Sequence, residues 1–359
     1  MKVSIIGLPN SGKTTIFNAI TGQNRETARY QTSGGEPHIG IIQVPDERLD
    51  SLTRLFTPRK TTHAVMDCVD SVGLTKGDLK QNIRVFDLIK DSDAIVHVVR
   101  AFHDDSVPHP LGENNPLRDI ETIALELIFG DMELVEKRLE RIKEGQKHGK
   151  KPDESETSLL LKCKDALSRD IPLRDAAFSD EELRSMSHLQ FLSTVPVIIV
   201  LNFGEEDVRT NHLTDTLSSL TGRFPSLPLL ALCGKIEMEI AQLTPEDRKP
   251  FLDEMGLDIP ASRRLVHECF RSLGLISFFT YAGNEVRSWT IKKGTPAQKA
   301  AGKVHTDIKR GFIRAEVISF DNLIASGSIQ AAREKGLLRL EGKTYEVSDG
   351  DVINFRFNV

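Results

Sequence analysis

Gly7-Leu-Pro-Asn-Ser-Gly12-Lys13-Thr14-Thr15 is the stretch on which the reading of this chain turns. It satisfies the pattern Gly-x4-Gly-Lys-Ser/Thr, and it lies between the β-branched run Val3–Ile6 and an amphipathic start, Thr14–Ile20. A strand, a glycine-rich turn and a helix in that order gather backbone N–H groups and the positive end of a helix dipole around one point. Lys13 is then placed to reach β- and γ-phosphates, and the Thr14 hydroxyl offers an oxygen to Mg²⁺. Pro9, Asn10, Ser11, Gly12 and Thr15 complete a cradle for a purine nucleoside triphosphate.

Outward from this loop, the run Ala64–Val69 ends on Asp70-Ser71-Val72-Gly73. At the end of such a strand an Asp can hold Mg²⁺ through water, and a Gly N–H can bond the γ-phosphate and register its loss. A third turn, Asn202-Phe203-Gly204-Glu205, ends the run Pro196–Leu201. Related enzymes read the base there with Asn-Lys-x-Asp, whose Asp pairs with the adjacent N–H donors of guanine. Here Glu205 is one methylene longer and Phe203 replaces the Lys, which weakens guanine selectivity.

The runs Val3–Ile6, Ile39–Val44, Ala64–Val69, Ala94–Val99, Val195–Leu201 and Leu227–Leu232 read as strands covered on both faces. They predict a mainly parallel α/β sheet interrupted by an insertion, roughly Asp119–Leu192. Within it Leu125, Ile128, Met132, Val135, Leu139 and Ile142 alternate three- and four-residue steps, the seam of a coiled coil. A polar tip, Glu144–Glu156, and a second leucine-bearing arm from Leu159 predict an antiparallel helical hairpin. Lys137, Arg138, Arg141, Lys143, Lys147, Lys150 and Lys151 cluster near the tip. They fit either a contact to RNA phosphates or a solvated helix end. From about Ser277 short strands, including Phe312–Ile318, Thr344–Val347 and Val352–Phe357, predict a small β-rich domain.

Lys and Arg total 47 against 52 acidic residues, a net charge of -5, so any nucleic-acid contact must come from a local patch. The four cysteines form no Cys-x-x-Cys pair, which leaves them as buried thiols rather than a zinc or redox site. No run matches a signal peptide or a membrane span, so a cytoplasmic protein without a membrane partner is expected.

These residues resemble the YchF/Obg-like ATPase family, the Obg-related translation-factor NTPases, nearly from end to end. The similarity includes the Gly-Leu-Pro-Asn opening, Asn202-x-x-Glu205, Cys233-Gly234-Lys235-Ile-Glu and Thr290-Ile-Lys-Lys-Gly-Thr295. It continues through Val304-His-Thr-Asp307 and Gly311–Ile318 to the closing string Asp349–Val359. The resemblance implies a Ras-like G domain of the α/β P-loop NTPase class (1–118 and 193–276), an inserted α-helical coiled-coil hairpin (119–192) and a C-terminal α+β TGS domain (277–359). It implies a preference for ATP over GTP, with base-side contacts from Asn202, Phe203, Glu205, Cys233 and Gly234. It further implies Mg²⁺ on Thr14 and Asp70, K⁺ at Asn10, and ribosome binding through the hairpin and TGS domain of a monomer. Leu74 stands where Ras-like enzymes have a water-orienting Gln, and His109 falls where the family places a histidine that assists hydrolysis. Lys13, Gly73 and His109 are thus the expected catalytic residues.

Two stretches depart from the family pattern. Gly34-Gly35-Glu36-Pro37-His38 stands where Thr-Ile-Glu-Pro-Asn is usual, so a Mg²⁺-contacting Thr is lacking unless Thr32 or Ser33 replaces it. The second switch, after Gly73-Leu-Thr-Lys-Gly77, lacks the usual glycine-rich extension. A slow ATP-hydrolysing, ribosome-associated switch is therefore the expected function. The alternative is a nucleotide-binding ribosome or RNA interaction module with negligible hydrolysis.

Overall fold

A computed structural model of the chain describes residues 1–25, 37–208, 212–254 and 259–358. The chain divides into two compact units, Met1–Ile41 with Asp67–Leu265 and Ile42–Met66 with Val266–Val359. The first-switch residues Thr32, Ser33, Gly34, Gly35 and Glu36 lie outside the described residues.

Among the described residues seven strands precede residue 266: β1 (Lys2–Ile6), β2 (His38–Gln43), β3 (Lys60–Thr62), β4 (Val65–Asp70), β5 (Ala94–Arg100), β6 (Val197–Asn202) and β7 (Leu229–Leu232). All but β3 form a six-stranded sheet in the order β2-β4-β1-β5-β6-β7. These are the six runs read from the sequence, with ends displaced by one or two residues. β1 pairs in parallel with β4 and β5, β5 with β6, and β6 with β7. Val3, Ile5, Ile6, Ile95 and Val98 are fully buried, as continuous apolar strands in a two-sided parallel sheet require. The register pairs Ile5 with Asp70 and Arg100 with Asn202, so the carboxyl ends of the strands finish at one edge. Ligands of open α/β sheets bind along such an edge.

Helices α1 (Lys13–Thr21), α2 (Glu47–Phe56), α3 (Leu79–Lys90), α4 (Pro116–Lys147) and α5 (Glu154–Leu167) follow in chain order. The 32-residue α4 starts where Pro116 takes the first helical position and the Asn115 side chain accepts the N–H of Arg118. Its two halves bury different partners. Ile120, Ile123 and Leu127 join the core beneath the sheet, with Phe86, Ile89, Ile95 and Leu201. Ile128, Val135 and Leu139 instead pack with Leu159, Leu160 and Cys163 of α5. The coiled-coil seam thus begins at Ile128; Leu125 is only partly buried, because the helix has not yet left the sheet. The second arm has unequal length: α5 spans 14 residues, and Leu173, Met186, Leu189 and Phe191 from the returning chain close the cluster. Arg138–Glu156 and Lys164–Glu136 ion pairs tie the arms.

In the second unit, strands β8 (Leu275–Ala282), β9 (Glu285–Lys292), β10 (Phe312–Ser319), β11 (Arg339–Glu341) and β12 (Asp351–Phe357) join β3 in the order β11-β10-β12-β8-β9-β3. The segment 42–66, which the sequence groups with the nucleotide domain, packs in this unit: Leu49 and Leu52 of α2 bury against Phe279, Val286 and Ile318. Arg48 adds a bidentate pair to Asp349. Thr344–Val347 is not a strand; only Glu346 bridges, to Pro296, because this turn meets no continuous edge. Among the described residues no helix is long and apolar enough to cross a membrane.

The root of the hairpin depends on one carboxylate. Asp131, buried on α4, accepts the N–H of Leu192 at 2.7 Å, the N–H of Ser193 at 2.8 Å and the Ser193 hydroxyl at 2.5 Å. Removing it strands two buried N–H groups, each costing about 1–3 kcal/mol. Asp131→Ala should therefore destabilise the first unit by about 2–4 kcal/mol and expose the Leu192 and Ser193 amides to hydrogen exchange. Parental protection of both amides in the variant would contradict this.

Candidate active site

The loop after β1 is shaped by two glycines. Gly7 has φ 153°, and a Cβ there would fall 2.3 Å from the Val98 carbonyl oxygen of the neighbouring strand. Gly12 has φ 90°, and its Cβ would fall 2.1 Å from the Asn202 side-chain nitrogen. Side chains are thus excluded from both ends of the loop, which keeps its backbone close to β5 and β6. Gly12 is also the cap of α1, which has no side-chain cap and no acidic residue in its first turn. The positive end of this helix is left for an external anion.

Lys13 is buried, and its ammonium donates to the Leu8 carbonyl at 2.9 Å. Burial pulls its pKa down to about 8, against the opposing charge of Asp70. The Thr14 hydroxyl donates to Asp70 Oδ2 at 2.8 Å. Burial raises the Asp70 pKa, offset by Thr14, Lys13 and His38, the last with its Nδ1 3.8 Å from Oδ2. Among the described residues Asp70 Oδ1, which is buried, has no hydrogen-bond partner. An orphaned carboxylate oxygen beside a hydroxyl is a hard-oxygen donor set that suits Mg²⁺ completed by phosphate and water. Among the described residues no group of three or more His, Cys, Asp or Glu could hold a metal by itself.

Gly73 lies directly against the loop, where a Cβ would approach the Pro9 nitrogen to 2.6 Å. The next N–H, of Leu74, donates to Gly7 O at 3.0 Å. Leu74 itself is fully buried in the core. The Asn202 amide bridges two loops: Nδ2 donates to Ser11 O at 3.1 Å and Oδ1 accepts the Gly234 N–H at 3.0 Å. Its nitrogen carries a second amide hydrogen. Phe203 is buried, and Cys233, also buried, caps the helix Gly234–Gln242 with its thiol pKa raised by burial. Glu205, half-exposed at the rim, is ion-paired with Lys235. Pro9, Asn10, Ser11, Thr15, Asn202, Cys233 and Gly234 are therefore brought to one sheet edge.

His109 is held away from solvent. Its Nδ1 accepts the N–H of Leu111 at 3.1 Å, which fixes the proton on Nε2, and Nε2 meets Asp119 Oδ2 at 2.8 Å. The adjoining Pro108 carbonyl accepts from Asn10 Nδ2 at 3.1 Å, so the histidine's loop touches the phosphate loop. Sequence reasoning passed over Arg100, which organises this loop from the end of β5. Its guanidinium donates to the carbonyls of Phe102, Val107 and Asp104 and stacks 4.5 Å from the Phe102 ring. The available signal was an arginine directly after an unbroken apolar run. Asp119 was missed too, as a carboxylate on the apolar side of a helix.

A family model for 50S ribosome-binding GTPases matches residues 2–129, and the YchF-GTPase C-terminal model, described as a protein of unknown function (DUF933), matches residues 275–358. The chain is 40% identical to the Ribosome-binding ATPase YchF of Bacillus subtilis, with 100% of each chain covered. It is 38% identical to the protein of that name from Escherichia coli O157:H7, covering 100% of this chain and 99% of that one. The solved Schizosaccharomyces pombe YchF GTPase superposes with a TM-score of 0.83 at 28% identity, covering 99% of this chain and 97% of that one. A GTP binding protein from Pyrococcus horikoshii OT3 shares the fold, with a TM-score of 0.62 at 19% identity over 100% of both chains.

If the buried ammonium is the phosphate contact, Lys13→Ala should weaken triphosphate binding by at least about a hundredfold, ~2.7 kcal/mol, while leaving melting nearly unchanged. Calorimetric titration would measure it, and equal affinity in variant and parent would remove Lys13 from the site.

Proposed function

The chain belongs to the YchF family, and from that premise we propose that it is a ribosome-associated P-loop ATPase acting in the cytoplasm as a nucleotide-dependent switch. The observation that carries this reading is the cluster of Lys13, Thr14 and Asp70: a buried cation, a hydroxyl and an orphaned carboxylate oxygen at the mouth of an uncapped helix. Lys13 and the loop N–H groups would bind the β- and γ-phosphates. Thr14 and Asp70 would hold Mg²⁺, which neutralises phosphate charge when bound. Asn10 is the candidate for K⁺, its side-chain oxygen being the kind of donor that ion takes. Gly73, fixed on Pro9, would meet the terminal phosphate.

Base choice follows from Glu205. Its carboxylate is partly neutralised by Lys235 at an exposed rim, a poor arrangement for the two N–H donors of guanine, and this supports ATP over GTP. Water activation must come from elsewhere than Leu74, whose buried aliphatic side chain has neither donor nor acceptor. His109 is the candidate, released from Asp119 when its loop moves. The buried Leu74 also favours a second reading, a nucleotide-binding module with negligible turnover. Phosphate release by the purified protein, with and without ribosomes, separates the two.

The cationic cluster of the hairpin splits in a useful way. Lys137 and Arg138 are spent on Glu133 and Glu156. Arg141, Lys143, Lys147, Lys150 and Lys151 are exposed. This supports a ribosomal RNA contact at the hairpin tip, with residues 277–359, read as a TGS domain, as a second contact of a monomeric protein.

His109→Ala should lower the single-turnover rate by about tenfold or more with ATP affinity unchanged; a parental rate with and without ribosomes would exclude the histidine. Replacing Lys143, Lys147, Lys150 and Lys151 with Ser should weaken ribosome cosedimentation and flatten its salt dependence. Unchanged binding across a salt series would return these lysines to solvent.

A further inference from the structure

Helix α4 carries three buried carboxylates, Asp119, Glu126 and Asp131. Asp119 holds His109, and Asp131 holds the returning chain. Glu126, 2% exposed, lies under the segment that follows Gly73. Its Oε1 accepts the N–H of Gly77 at 2.7 Å and its Oε2 accepts from Asn82 Nδ2 at 2.9 Å. Asn82, fully buried on α3, grips the same segment from the other side: Oδ1 accepts the Thr75 N–H at 2.9 Å and Nδ2 donates to the Thr75 carbonyl at 2.8 Å. The five residues 73–77 are thus fastened at both ends. Their front rests on Pro9 and Gly7 of the phosphate loop, and their back on Asn82 and Glu126.

The choice of a carboxylate here is informative. Glu126 makes no ion pair among the described residues, and its donors are neutral amides. Burying a carboxylate with no opposite charge beside it is unfavourable, and simple packing would not require it. What the carboxylate does provide is two strong acceptors at fixed positions, one for each element it joins. Asp119 lies seven residues earlier on the same helix, about two turns or ~10.5 Å away on the same face. One rigid rod therefore holds both His109 and the segment after Gly73.

We propose that Glu126, with Asn82, is a positioning residue for hydrolysis: it fixes residues 74–77 so that Gly73 is presented to the terminal phosphate, and it makes α4 the element through which that placement is set. The inference rests on the reading that Gly73 faces the γ-phosphate. A displacement of α4 pulls on Gly77 and on His109 together, so a contact at the far end of the hairpin changes turnover without touching the nucleotide.

The test uses the full chain: single-turnover ATP hydrolysis, ATP and ADP affinities, and melting for the parent, Glu126→Ala and Glu126→Gln, with Lys13→Ala as the background. The Ala variant should hydrolyse at least about tenfold more slowly, keep ADP affinity within about twofold and lose part of its preference for ATP over ADP. Glu126→Gln keeps one acceptor and the shape, so its rate should fall between the two, about threefold or more below the parent. This variant decides the matter if Glu126→Ala does not fold. A parental rate and ATP-over-ADP ratio in Glu126→Gln, or a loss of ADP affinity that matches the loss of rate, would reduce Glu126 to a brace and overturn the proposal. Should the parent release no more phosphate than Lys13→Ala, the hydrolytic reading fails on its own. The ATP-over-ADP affinity ratio of the same variants then decides the role of Glu126 by the same criteria.

Discussion

In the first unit a desolvated ammonium, that of Lys13, is held within reach of the Asp70 carboxylate. Lys13 is buried with its ammonium on the Leu8 carbonyl, close enough to Asp70 for the two charges to be felt, while Asp70 keeps one oxygen unpaired among the described residues. Neither arrangement is favourable in isolation, because each removes a charge from water with incomplete compensation. The surroundings hold it in place: β1 and β4 align Ile5 with Asp70, and Gly7 and Gly12 bring the loop against β5 and Asn202. A polyanion and a hard cation would satisfy both groups at once.

Around this centre the sheet edge is assembled by side chains that tie one loop to the next. Asn202 links the phosphate loop to Gly234, Asn10 links it to Pro108, and Arg100 gathers the carbonyls of the following loop. Helix α4 extends this web into the hairpin. Its buried carboxylates hold the His109 loop, the segment after Gly73 and the returning chain in turn. Because α4 leaves the sheet near Ile128 and continues as the hairpin arm, what the hairpin touches and what the loops do are connected by one continuous element.

The parts of this arrangement that were legible in the sequence are those whose chemistry is local. Gly7–Thr15 must be contiguous to wrap a phosphate, and Asp70 and Asn202 follow unbroken apolar runs that only a central strand explains. Glu126, Asn82 and Asp119 were not legible, since a lone polar residue at helical spacing reads as part of a solvated face until its long-range partners are known. The same limit explains the segment 42–66, whose strand β3 is three residues long and is defined by pairing with β9. Thr344–Val347 has strand-like composition but only one bridging residue. The hairpin was legible from its seam, though not the point at which α4 changes partners, because both halves keep the same period.

On the proposed reading Asp70 and Thr14 would complete a metal site around a triphosphate bound by Lys13. Titrating ATP into the protein with Mg²⁺ and with chelator, for the parent and for Asp70→Asn, tests it most directly. Mg²⁺ should tighten ATP binding to the parent by about tenfold or more, and Asp70→Asn should abolish this gain while retaining the metal-free affinity. Equal affinity of the parent with and without Mg²⁺, or an undiminished gain in Asp70→Asn, would contradict it.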